Sequence, residues 1–121
     1  MAFPKPSDAD KLWFEALLPD APGVMMRPMF GNYAGFVNGN MFLCLFGDQV
    51  AVRLDAAGRA ELLASADSEP FEPVPGRPMK EYVVLPEQWR DTPDLAEAWV
   101  DRSLEYASAM PTRHHEGKAA K

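Results

Sequence analysis

The stretch Val24-Met25-Met26-Arg27-Pro28-Met29-Phe30-Gly31-Asn32-Tyr33-Ala34-Gly35-Phe36-Val37-Asn38-Gly39-Asn40-Met41-Phe42-Leu43-Cys44-Leu45-Phe46-Gly47-Asp48-Gln49-Val50-Ala51-Val52-Arg53-Leu54 decides the fold. It holds four apolar runs, at 24–30, 33–37, 40–46 and 49–54, separated by Gly31-Asn32, Asn38-Gly39 and Gly47-Asp48. Asn-Gly is the strongest short hairpin signal, because both residues tolerate the positive φ of a type I′ turn. The segment is therefore predicted to be a meander of four antiparallel strands. Pro28 cannot donate to a ladder, which places it on an edge or at a bulge of the first strand.

Outward from the meander the period changes to that of helices. Ser7 reads as an N-cap with Asp8 and Asp10 in the first turn, where the helix dipole favours negative charge. Leu12, Trp13, Ala16 and Leu17 recur at helical spacing, so a helix is expected over 8–18, ended by Pro19, Pro22 and Gly23. Asp55 caps a second, short helix over 56–65 in which Leu62 and Leu63 supply the apolar contact. Residues 67–78 contain four prolines and read as a loop. A fifth strand follows over 79–85. Thr92-Pro93 then opens a last helix, with Thr as cap and Pro at the first helical position. Its apolar face is Leu95, Ala96, Trp99, Val100, Leu104 and Ala107, and Pro111 stops it. One domain is expected over 1–110, followed by a disordered polar tail over 111–121. Strands in a run between helices imply an α+β, two-layer architecture: a five-stranded antiparallel sheet with helices on one face.

The sheet faces raise the functional question. In 49–54, Val50, Val52 and Leu54 share one face, while Gln49, Ala51 and Arg53 share the other. In 40–46 both faces are apolar, with Met41, Leu43 and Leu45 on one and Phe42, Cys44 and Phe46 opposite. Tyr82 and Val84 in the fifth strand also face away from Val83 and Leu85. Helices can bury one face only. The second needs a cover: the proline-rich loop, a second subunit or a ligand. Phe42, Phe46 and Tyr82 are the expected partner surface, on which reading Phe42→Asp or Phe46→Asp would break a contact and leave the fold intact.

Chemistry is narrowed mainly by exclusion. Twelve Lys and Arg against 18 Asp and Glu give a net charge of −6, which disfavours direct nucleic-acid binding through phosphates. A single cysteine, Cys44, excludes an internal disulfide and a cysteine-based zinc site. It stands in the most apolar strand with no histidine to activate it. The two histidines, His114 and His115, are neighbours in the tail and suit neither a nucleophile's base nor a structural metal site. Asp94, Glu97, Asp101 and Glu105 form a stripe on the last helix, read as solvent-facing or as an acidic docking surface. Gly31 to Gly35 precedes no helix and is no phosphate loop. Arg27, Arg53, Arg77, Lys80 and Arg90 lie on or near strands and the loop and would bind an anion or acidic peptide if several converged, with Arg27, Arg53, Arg77 and Lys80 as the expected set. No apolar run approaches the roughly 20 residues of a membrane span, and the start MAFPKPSDAD lacks a signal peptide's apolar core, so a cytoplasmic location is expected. No enzyme activity, cofactor or metal is expected.

The segment Arg27-Pro28-Met29-Phe30-Gly31-Asn32-Tyr33-Ala34-Gly35 resembles the R-x-M-F-G-G-x-G signature of the TfoX/Sxy N-terminal-domain family. The likeness continues through Gly39-Asn40-Met41-Phe42, Val52-Arg53-Leu54-Asp55 with Arg59, Pro70-Phe71, Met79 through Pro86-Glu87, and Leu95 to Trp99. Asn32 stands where the signature has its second glycine. The family motif thus falls on Arg27, Met29, Phe30, Gly31 and Gly35, read first as turn and core residues. The resemblance implies a secretion-chaperone-like sheet in which the last strand returns beside the first, order 5-1-2-3-4. It also implies kinship with competence regulators that promote transcription alongside the cyclic-AMP receptor protein, proteins that carry a further C-terminal helical domain. The expected function is non-enzymatic, through contact with a protein partner or a second copy. The alternative is a small-anion or metabolite binder.

Overall fold

The computed structural model describes residues 3–113. Helix α1 (Asp8–Leu17) begins at a reciprocal capping box: the Ser7 hydroxyl accepts the Asp10 N–H at 3.1 Å, and the Asp10 carboxylate accepts the Ser7 N–H at 2.8 Å. The meander follows as β1 (Val24–Met29), β2 (Asn32–Val37), β3 (Asn40–Phe46) and β4 (Gln49–Arg53). Helix α2 (Ala56–Ser65) is capped by Asp55, whose carboxylate accepts the Gly58 N–H at 2.7 Å. Two short strands, β5 (Glu69–Pro70) and β6 (Tyr82–Val84), a 3-10 turn at Glu87–Asp91 and helix α3 (Pro93–Ser108) complete the described chain. Pro93 stands at the helix start as expected, but the Thr92 side chain makes no capping bond.

The sheet is antiparallel with order β1-β2-β3-β4-β6-β5. It has six strands because a dipeptide of the proline-rich segment, Glu69–Pro70, pairs with β6. The order also corrects the expected 5-1-2-3-4. The strand after the loop adds beside β4, with Ala51 opposite Val84 and Arg53 opposite Tyr82, and leaves β1 at the edge. The physical reason lies in β1 itself. Pro28 has no N–H, and the Val24 N–H is already given to the Ala21 carbonyl at 3.2 Å, so β1 offers an incoming strand few donors.

The turns show one further shift. Asn38 and Gly39 take φ 50° and 83°, the expected type I′ pair. The first turn, however, is Phe30-Gly31, at φ 53° and 80°, so Asn32 moves into β2 and is buried.

A bulge corrects the face assignment of β3. Gly35 lies opposite Leu43 and Phe36 opposite Met41, so Phe42 is an extra residue with no partner on β2. Alternation therefore breaks between 42 and 43. Phe42, Leu43 and Leu45 all enter the helix-side core, while Met41, Cys44 and Phe46 face the other way. Phe42 is fully buried and is not part of any partner surface.

All three helices cover the same face, where Phe14, Leu17, Leu62, Ala96, Val100 and Ala107 meet Val50, Val52, Leu54, Val83 and Leu85. The helical phases differ slightly from expectation. Leu12, Leu63 and Leu95 are exposed, Ala16 likewise, and Phe14 takes the inward position on α1. Ser103, unremarked in the sequence, sits fully buried on α3. Its hydroxyl accepts the Arg53 N–H at 3.1 Å and donates to the Phe42 carbonyl at 2.7 Å, which bridges β4 to β3 at the bulge.

Arg90, on the 3-10 turn, ties the start of α1 to the β3–β4 turn. It bonds Asp10 at 2.6 Å and the Asp48 carbonyl at 3.0 Å, with its guanidinium 4.4 Å from the Trp13 ring centre. Burial alone would raise the Asp10 pKa. The Ser7 N–H and the Arg90 guanidinium outweigh it and hold the carboxyl below its ordinary value. A lowered folded pKa gives stability that is present above the ordinary carboxyl range and lost as pH falls through the folded value. Arg90→Ala is therefore expected to cost about 1–3 kcal/mol at neutral pH. In urea unfolding, its deficit against the unmodified chain should shrink as pH drops below about 4.

The start of the expected tail is not free. The Arg113 N–H donates to the Asn38 carbonyl at 2.9 Å, and the Asn40 amide to the Pro111 carbonyl at 3.0 Å. His114, His115 and the rest of the tail lie outside the described residues.

Candidate functional site

The face turned away from the helices carries the site. Its floor is Ala34, Cys44, Ala51, Tyr82 and Val84, flanked by half-buried Met29, Phe36, Met41 and Phe46. Two segments of the chain lie over it. The first is the proline-rich loop, which buries Phe71 to 2% exposure; the Phe71 N–H donates to the Tyr82 carbonyl and the Met79 N–H to the Phe71 carbonyl, at 3.0 and 2.8 Å. The second is the lead-in before α1. Phe3 brings its ring to 5.0 Å from Phe30 and 5.7 Å from Phe46, and Phe46 meets Phe71 edge-on at 5.6 Å. Asn32 pins this lead-in. Its amide nitrogen donates to the Pro4 carbonyl at 2.9 Å and its oxygen accepts the Gly47 N–H at 2.8 Å.

Beneath these covers remains a cavity of about 170 Å³, lined chiefly by aromatic and methionine side chains. Cys44 is among its lining residues. Burial pushes that thiol up to about 12, so it stays protonated near neutrality and is a poor nucleophile. Phe46 and Tyr82 do share this face, but both are covered by the chain itself. The Tyr82 hydroxyl donates to the Met41 carbonyl at 2.9 Å, and burial raises its pKa to about 12.

Two of the four cations expected to bind an anion are engaged separately. Arg53 pairs with Glu81 at 2.7 Å, its guanidinium 5.7 Å from the Tyr82 ring centre, and Tyr106 donates to the same carboxylate at 3.2 Å. Burial would raise the Glu81 pKa, but the bond from Arg53 holds it below the ordinary range. Arg27 lies on β1 with its guanidinium 5.5 Å from the Phe36 ring centre. Arg77 and Lys80 are exposed on the loop. None of the four lines the apolar cavity or the wider acidic cleft, of about 350 Å³, bordered by Asp48, Asp67, Glu69 and Glu87. Among the described residues no three ligating side chains are grouped to hold a metal, and no helix is long and apolar enough to cross a membrane. The acidic side chains along α3 are exposed.

Two residues matter more than the sequence suggested. Phe30 has a positive φ, rare for a bulky side chain, and is 70% exposed at the hairpin tip. The signal was there, a Phe directly before Gly, but it emerges only once the turn is placed on Phe30-Gly31. Asn32, which departs from the glycine of the signature, is the residue that fastens the lead-in; no local pattern announces that contact. At Gly35 a Cβ would come to 2.7 Å from Leu18 Cδ1, so a larger residue there would have to push the Leu18 side chain aside.

A six-stranded antiparallel sheet with helices packed on one face only defines the class: a small two-layer α+β domain. The family model of the TfoX N-terminal domain matches residues 16–107, and the chain belongs to that family. No curated protein matches it significantly.

Proposed function

We propose that this domain is a non-enzymatic module of the cytoplasm that works by protein–protein contact centred on Phe30, in the regulation of transcription. The observation behind this reading is the conformation of Phe30. A left-handed backbone costs a residue other than glycine about 1–2 kcal/mol, and asparagine is the exception that would relieve it. The ring touches Phe3 on one side and is otherwise open, so a strained backbone presents most of an aromatic surface to a partner. Met25 and Met26 are exposed on the adjoining strand, at 53% and 39%. Arg27 lies between them and the tip and makes no ion pair among the described residues. The matching partner surface is an apolar side chain beside a carboxylate. The resemblance to competence regulators supports transcription as the setting.

A second copy of the chain is the competing occupant, although a charge of −6 on each copy works against self-association. The small-anion reading has less behind it, since Glu81 neutralises Arg53. The test is a cross-linked pull-down with the unmodified chain and with Phe30→Asn, which relieves about 1 kcal/mol of backbone cost against the lost Phe3 contact and is expected to keep the fold. Enrichment of RNA polymerase or a transcription factor by the unmodified chain alone supports the reading. Equal capture by both chains overturns it, and a mass that doubles with concentration assigns the surface to a second copy.

A further inference from the structure

We propose that the cavity between the sheet and the Phe3 segment is a binding site for a small uncharged aromatic molecule of one ring, with Phe3 as its lid. Its volume, about 170 Å³, is close to that of the engineered apolar cavities of about 150 Å³ that stay dry and take up benzene. Its walls include Phe3, Met29, Phe46, Phe71, Val74 and Met79, and among the described residues no lining side chain is charged. The tilted and edge-on ring pairs around it are the arrangement in which a further ring is accommodated. Methionine at two walls adds a surface that adapts to its guest.

The polar groups of the cavity exclude other ligand classes. Among the described residues, Asn32 and Cys44 are the only polar side chains that line it. The Asn32 amide is engaged on both sides, with the Pro4 carbonyl and the Gly47 N–H. A guest that brought a charge or several hydroxyls would leave them unpaired, which costs more than the apolar contact returns. An uncharged ring loses nothing of that kind. Because Asn32 holds Pro4, one residue from Phe3, the same amide that lines the site also sets how readily the lid lifts.

The experiment is a titration of the purified chain with toluene, followed through the methyl resonances of Met29 and Met79, with Met110, just beyond the end of α3 and outside the lining, as the control. Saturable shifts confined to Met29 and Met79 are expected. Val74→Phe, which fills the cavity from the loop, should weaken them at least about tenfold. Benzoate, of the same ring size but charged, should give no saturable shift. Linear shifts up to the solubility limit of toluene overturn the site, and so does a Val74→Phe chain that binds as well as the unmodified one. Benzoate binding as tightly as toluene overturns the ligand class, and that arm depends on no variant folding. The assay uses no partner protein, so its result is separate from that of the pull-down.

Discussion

Phe42→Asp is expected to leave the chain unfolded at 25 °C. The ring is fully buried among the helix-side residues, and its loss alone costs about 3–5 kcal/mol. A carboxylate at that point would also be buried without a partner, which adds several kcal/mol. The sum reaches the whole stability of a domain of this size, about 5–15 kcal/mol. Far-ultraviolet circular dichroism and urea unfolding would show it directly: no cooperative transition for Phe42→Asp, and one displaced by about 1–2 kcal/mol for Phe42→Leu. Phe46→Asp, half-buried between Phe3 and Phe71, is expected to keep the transition. If Phe42→Asp folds as well as Phe46→Asp, the bulge does not turn that ring inward.

Ser103→Ala is expected to cost about 2–4 kcal/mol, a large effect for the loss of one hydroxyl. The hydroxyl serves two backbone groups at once, the Arg53 N–H and the Phe42 carbonyl, at a place where Phe42 has no strand partner. Alanine leaves both without a bond in a region closed to water. Ser108→Ala is the control, since the Ser108 hydroxyl bonds helix carbonyls on an exposed surface and should change stability by less than about 0.5 kcal/mol. Equal effects in a chemical-denaturation series would show that the bridge carries no special share of the fold.

Both predictions come from features that single-residue patterns do not encode. The meander, the three helices and the caps at Ser7 and Asp55 were legible because each depends on a few neighbours: turn chemistry, alternation and a side chain within reach of its own backbone. The clean alternation of Val50, Val52 and Leu54 placed β4 correctly for the same reason. The bulge at Phe42 was not legible, because an extra residue in one strand is defined only by its partner strand. Strand order failed similarly: whether 79–85 joins β1 or β4 is a contest between two distant edges, and Pro28 tips it only once both are present. The second face was foreseen as apolar. That Phe3 would help cover it, through Asn32, depends on a contact spanning 28 positions. That Arg53 would be held by Glu81, beside Tyr82 in sequence, depends likewise on a contact between distant positions.

The two outer strands of the sheet share one residue type. β1 carries Pro28, and β5, at the far edge, carries Pro70. Each removes a donor from the rim where a neighbouring molecule's strand would dock. Growth of the sheet from molecule to molecule, the first step toward fibres, is thus discouraged at both ends, even though its middle strands are rich in Leu, Val and Phe. A chain with so apolar a centre can remain dispersed when crowded, and lasting association is steered away from its rims toward its faces and turns.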